Sequence, residues 1–268
     1  MRSILSRLTC LIAGLLIILL IGGCAGSGGS SAGIEMKNDQ LDKMMDLARN
    51  LKSVHFEGKM QVADQISANY NGTMVFDKNS QYMYSMELQS GKENSHNNMV
   101  LMLYIDGDNC YLKDSFQGKW RSSGSDTTIE KMRDELKLQA KVNEPLYLIK
   151  GVKESAAGNG KEVEEKEIGG KKVVVYEFPA DLTKVLSSNP YELDLGNIDP
   201  SSIKQVKYLL GVGKEDKQLY TYSMEQLIDT QDKGTVKVIN TMNFSQHDGS
   251  KIELPQELQQ LIDKEKKK

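Results

Sequence analysis

Phe56-Glu57-Gly58-Lys59-Met60-Gln61-Val62 alternates apolar or small residues with charged and polar ones at every second position. A β-strand sends successive side chains to opposite faces, so a period of two predicts a strand with one dry and one wet face. The same rhythm returns at Tyr70, Met74 and Phe76, and again at Tyr82, Tyr84, Met86 and Leu88. Three such runs in succession predict antiparallel neighbours in a half-buried sheet, and this pattern decides the fold class.

Toward the C-terminus, Met99 to Ile105 is apolar at successive positions, as expected for a strand covered on both faces, although so short a run also fits a helix segment. Asp106-Gly107-Asp108-Asn109 supplies hairpin-turn chemistry, after which Cys110-Tyr111-Leu112 and Lys119-Trp120-Arg121 continue the meander. Thr127-Thr128-Ile129-Glu130 has the capping-box pattern, with Ile129, Met132 and Leu136 following at helical spacing. Asn143-Glu144-Pro145 interrupts that helix, and proline in a first turn predicts a second, carrying Leu146, Leu148, Ile149 and Val152. Val163 to Ile168 and Lys172 to Phe178 flank Gly169-Gly170, a dipeptide suited to the positive φ angles of a two-residue hairpin. A helical turn is expected near Asp181 to Leu186, closed by Pro190. Three long strands then follow, Ser202 to Val212, Gln218 to Ile228 and Thr235 to Gln246. Alternation places Tyr220, Tyr222 and Met224 on one face, as it does Val206, Tyr208, Leu210 and Val212. Toward the N-terminus, Leu41, Met44, Met45, Ala48 and Leu51 recur near helical spacing, which predicts an amphipathic helix over Ile34 to about Leu51. The fold class read from this order is α+β, with one antiparallel sheet of about eleven strands and a few helices.

The first residues have a different character. Arg2 and Arg7 precede an apolar run from Leu8 to Ile21, the proportions of a secretory signal peptide and too short for a comfortable membrane span. Ile21-Gly22-Gly23-Cys24 resembles the lipobox of bacterial lipoproteins, in which the cysteine is acylated and becomes the first mature residue. Residues 1–23 are therefore expected to be removed and Cys24 to carry a diacylglyceryl group. Ala25 to Gly33 has no apolar side chain to bury and should act as a flexible tether reaching about 15 to 20 Å. Two acyl chains, each stabilising membrane association by about 0.8 kcal/mol per buried methylene, meet the two-signal requirement for stable anchoring. Residues 34–268 are then read as one domain on the extracytoplasmic face of a membrane.

Composition narrows the functions available. Removal of Arg2 and Arg7 with the signal takes the formal charge from −3 to −5, so nucleic acid is a poor partner. Cys10 and Cys24 lie in the signal and at the lipid site, which leaves Cys110 without an intramolecular disulfide partner. His55, His96 and His247 are scattered and lie in no nucleophile or metal motif, and the Asp106 to Asn109 turn lacks the glycine spacing and terminal glutamate of a calcium loop. No catalytic residue, metal or cofactor is expected. Eleven methionines lie between residues 44 and 242, several in predicted strands where Val and Ile are usual. A methionine-rich core is one reading. The other is an adaptable apolar cavity, because methionine fills irregular or changing surfaces.

Taken with the lipobox, the Val54-His55-Phe56-Glu57-Gly58 strand, the Tyr104-Ile105-Asp106-Gly107-Asp108 and Gly118-Lys119-Trp120 hairpin and the terminal Leu254-Pro255 resemble Gram-positive lipoproteins with a LolA-like fold. The similarity reaches toward the mycobacterial LppX and LprG group and covers most of the mature chain. It implies a strongly curved sheet forming an incomplete barrel, with helices on the concave face and acyl chains or a hydrophobic peptide held between them. The pocket residues expected on this basis are Phe56, Met60, Met74, Phe76, Tyr82, Tyr84 and Met86, with Tyr220, Tyr222 and Met224 opposite. A lipid ligand and an envelope protein are the partners it suggests, beside the membrane reached through Cys24.

Overall fold

The computed structural model describes residues 34–63, 66–77, 80–90, 99–187, 200–230 and 234–267. The signal, Cys24, the tether, His96 and Pro190 lie outside the described residues. Among those described, twelve strands form one antiparallel, open and curled sheet. They are β1 (Glu35–Met36), β2 (Ser53–Val62), β3 (Ile66–Val75), β4 (Gln81–Ser90), β5 (Met99–Asp106), β6 (Asn109–Asp114), β7 (Arg121–Ser122), β8 (Gly160–Ile168), β9 (Lys171–Pro179), β10 (Ile203–Gly213), β11 (Leu219–Thr230) and β12 (Gly234–Ser245). In space they run β1-β8-β9-β10-β11-β12-β2-β3-β4-β5-β6-β7. Two meanders, one early and one late in the chain, are thus joined by the β12–β2 pair, whose register sets Asn240 opposite Met60 and Phe244 opposite Phe56.

Five helices accompany the sheet: α1 (Asn38–Arg49), α2 (Thr127–Val142), α3 (Pro145–Ser155), α4 (Leu182–Ser187) and α5 (Gln256–Glu265). The concave face and α1 to α4 share one continuous core, to which α1 contributes Leu41, Met44 and Met45, α2 Ile129, Leu136 and Ala140, and α3 Leu148, Ile149 and Val152. Spacings of three and four put these residues on a single stripe of each helix. Lys153 of α3 pairs with Asp42 of α1 at the outer rim.

Several local expectations change. The first helix starts at Asn38, because Glu35–Met36 extends to pair with Gly160 and Lys161 at the edge of β8. Asp126, one residue before the threonines, caps α2 by accepting hydrogen bonds from Thr128 N at 2.8 Å and Ile129 N at 3.4 Å. A carboxylate there satisfies N–H groups that have no helical partner. The Gly169-Gly170 hairpin forms with both φ angles positive, at 57° and 77°.

The largest addition is α5, for which no element was expected. Leu258 and Ile262 pack with Tyr104, Tyr111 and Trp120 in a second cluster on the convex face, walled by Met83 and Met102. This helix is what covers the other side of the β5 run that reads as apolar at every position. Four helices therefore lie against the concave side and one against the convex side.

Candidate ligand cavity

A cavity lies on the concave face beneath α2, walled by β2, β3 and β4. Small residues make the room. Gly58 on β2 opposes Tyr70 on β3, and a Cβ at Gly58 would run into the Tyr70 ring. The ring therefore crosses β2 at this glycine, and its hydroxyl donates to Asn240 Oδ1 on β12. At Gly72 a Cβ would strike the Met83 carbonyl and Tyr84, so β3 and β4 approach closely there. Glycine inside a strand marks such approaches. Ala68 and Ala140 leave further space below and above.

The floor is formed by Phe56, Met60 and Met74 and one side by Tyr82, Tyr84 and Met86, while Gln139, Ala140 and Asn143 at the C-terminal end of α2 close the roof. The roof is pinned at both ends. Arg121 donates to Asp114 Oδ2 and Asp126 Oδ2, each at 2.8 Å, and this ties the start of α2 to the β6–β7 corner. Lys137 bonds Asp108 at 2.6 Å, which ties the acidic β5–β6 turn to α2. Past the other end, Tyr82 donates to Glu144 Oε1 at 2.5 Å. Burial raises the Glu144 pKa, while the Tyr82 hydrogen bond pulls it back down. Asn143 Nδ2 donates to the Gln139 carbonyl at 3.1 Å, closing the last turn of α2.

Within these walls the volume open to water-sized centres is about 40 Å³. That is room for roughly three waters at 10–15 Å³ each. Ligand pockets ordinarily span about 300–1,000 Å³. As it stands, the cavity is smaller than such pockets.

Six of the expected residues, Phe56, Met60, Met74, Tyr82, Tyr84 and Met86, line this cavity. Phe76, Tyr222 and Met224 belong to the same core beside it, and the Tyr222 ring centroid lies 6.3 Å from that of Tyr208. Tyr220 sits elsewhere. The β10–β11 register slips between Gly211 and Val212, so Leu219 instead of Tyr220 faces Val212 and enters the core. Tyr220 is the extra residue of this bulge, and its hydroxyl donates to Asp216 at 2.8 Å while its ring lies 4.9 Å from His247. A bulge re-aims a side chain that strict alternation would send inward. The residues missed were those of the roof, together with Tyr70 and Asn240; the glycine at 58 was the one sequence signal for them.

Of the two described histidines, His55 lies within 3.4 Å of Thr73 Oγ1, and His247 within 3.0 Å of the Leu219 carbonyl, where burial lowers its pKa. Among the described residues no three His, Cys, Asp or Glu side chains gather where they could hold a metal. Cys110 is buried, which pushes its thiol up to about 11 and away from nucleophilic chemistry.

No family model matches the chain, and no curated protein matches it. Solved structures do. Mycobacterial lipoproteins stand among them. LprF from Mycobacterium bovis is 14% identical, with 82% of this chain and 96% of that one covered at a TM-score of 0.47. LppX from Mycobacterium tuberculosis is also 14% identical, covering 80% and 96% at 0.44. MucB, solved in complex with MucA, is 8% identical, covering 77% of this chain and 55% of that one at 0.34. At such distances the functional reading rests on this chain's own residues.

Proposed function

We propose that this protein is an extracytoplasmic lipoprotein, held to its membrane by acylated Cys24, that takes an acyl chain or similar hydrophobic ligand between the sheet and α2. The observation that carries the reading is the methionine, glycine and alanine lining of a concave-face cavity under a helix whose two ends are tied by polar contacts. Flexible thioethers can repack around a guest at low cost, and the roof can lift by exchanging the Tyr82–Glu144 and Arg121–Asp126 bonds for water. The reading invokes no covalent chemistry and no cofactor. Full-length protein taken from its native membrane and examined by native mass spectrometry is expected to carry one acyl species beyond its own anchor. Met86→Lys, which puts a charge into the wall, is expected to lose it.

A second reading has an observation of its own. Phe116 is 75% exposed and Val100 36%, and the two adjoin, because Val100 N donates to Ser115 Oγ and Ser115 N to the Val100 carbonyl. Asp114 Oδ1 fixes the turn by accepting from Phe116 N at 3.0 Å and Gln117 N at 2.8 Å. An aromatic held out on a rigid turn suits a protein partner. Protein free of acyl ligand that binds one envelope protein stoichiometrically, and loses it on Phe116→Asp, would select this reading over the first.

A further inference from the structure

The cavity wall carries a buried amide at Asn240, and its chemistry limits what can bind. Asn240 is 4% exposed, and the Tyr70 hydroxyl occupies its Oδ1. Among the described residues Asn240 makes no other side-chain hydrogen bond, and since it lines the cavity its Nδ2 donors are left for a guest. A second buried amide continues the polar track along the concave face. Gln226, fully buried, stands two positions along β11 from Met224, the residue paired with Asn240. Its Oε1 has no partner and its amide nitrogen reaches only the Met224 sulfur at 3.6 Å. Buried polar atoms left unpaired cost about 1–3 kcal/mol each, so a ligand that pairs them recovers that cost.

The walls carry no Lys, Arg, Asp or Glu, and the polar side chains lining them are the amides of Asn240, Gln139 and Asn143 and the phenols of Tyr70, Tyr82 and Tyr84. An ionised carboxylate or phosphate taken into such a site would lose its hydration without gaining a counter-charge, which is prohibitive. A carbonyl that is not ionised loses far less and matches an amide N–H. We infer that Asn240 is a specificity residue that accepts an acyl chain through the carbonyl of an uncharged ester or amide and discriminates against the free ionised acid. Tyr70 is a positioning residue, holding the Asn240 amide by its oxygen across Gly58 so that the nitrogen faces the cavity. This rests on the acyl-binding reading above.

The test uses full-length protein in phosphatidylcholine nanodiscs at pH 8, with three photoactivatable C16 probes identical in chain: a methyl ester, a carboxylic acid and a plain hydrocarbon. Labelled residues are mapped by mass spectrometry. The ester is expected to label the α2 roof and the β2–β4 wall at least tenfold more than the acid. Asn240→Leu should cut the ratio of ester to hydrocarbon labelling about tenfold, one hydrogen bond's worth. Tyr70→Phe, which keeps the ring but frees the amide, should cut ester labelling two- to threefold and guards against a leucine variant that fails to fold. Equal labelling by ester and acid, or ester labelling indifferent to both variants while the hydrocarbon still enters, would overturn the subsite alone. Absence of labelling by all three probes would overturn the acyl-binding reading and the subsite with it.

Discussion

The two halves of the concave face are built differently. Under β9 and β10 the core is Val174, Tyr176, Phe178, Val206, Leu210 and Val212, mostly stiff or branched side chains, with the Phe178 ring seated on Gly160. Under β2 to β4, Met60, Ala68, Met74 and Met86 stand among Phe56, Tyr82 and Tyr84, with Gly58 and Gly72 between them, and there the cavity opens. Rigid side chains interdigitate to native density, whereas thioethers next to glycine and alanine leave space and tolerate rearrangement. One sheet therefore combines a fixed half with an adjustable one.

Truncation tests that contrast most directly. Phe178→Ala is expected to cost about 3–5 kcal/mol, because the site is completely buried and its neighbours cannot collapse into the hole. Met86→Ala should cost about 2 kcal/mol, the low end for such changes, since its surroundings already border a void. Urea unfolding of both variants measures the gap, and equal losses would erase the distinction between the halves. Filling sharpens it. Ala140→Leu should change stability by no more than about 1 kcal/mol while abolishing acyl capture, a separation read by pairing denaturation with native mass spectrometry.

The smallest expected effect is a pH slope at the far end of the molecule. Burial lowers the pKa of His247 below its ordinary 6.5, so the folded state binds a proton less readily than the unfolded one. Its contribution is then complete above about pH 6.5 and is lost as pH falls through the lowered value. Thermal melts from pH 7.5 to 5 should show stability declining, and His247→Gln should flatten that decline without touching ligand capture. A variant that keeps the full slope would place the titrating group elsewhere.

Much of the architecture was legible because periodicity is a property of local sequence. The alternation at Phe56 to Val62 and the Gly169-Gly170 turn each specify their own element. Tyr220 shows where that logic stops, since a bulge is set by a register slip between two strands and strict alternation is blind to it. The α5 helix was hidden for a different reason. Leu254, Leu258, Leu261 and Ile262 do stand at helical spacing, but Pro255 and the Lys- and Glu-rich end drew the reading away from them. Strand alternation and the family resemblance pointed to six of the lining residues, three of them methionines, but Gln139, Ala140 and Asn143 were illegible, being small or polar positions on a helix. Gly58 was the available clue to Tyr70 and Asn240, a strand glycine that lets a ring from the next strand pass over it.

The β12–β2 pair bears on the order in which a chain made amino end first can close its sheet. β2 begins at Ser53 and its partner β12 ends at Ser245, so the strand that completes one side of the early meander arrives almost two hundred residues late. Until then β2 exposes an unpaired edge, and the cavity wall lacks Asn240. Loops that long delay closure, because their entropy is lost before any contact repays it. The fold's topology thus delays closure of the sheet until nearly all of the chain is present, and it leaves an exposed β-edge in the interval.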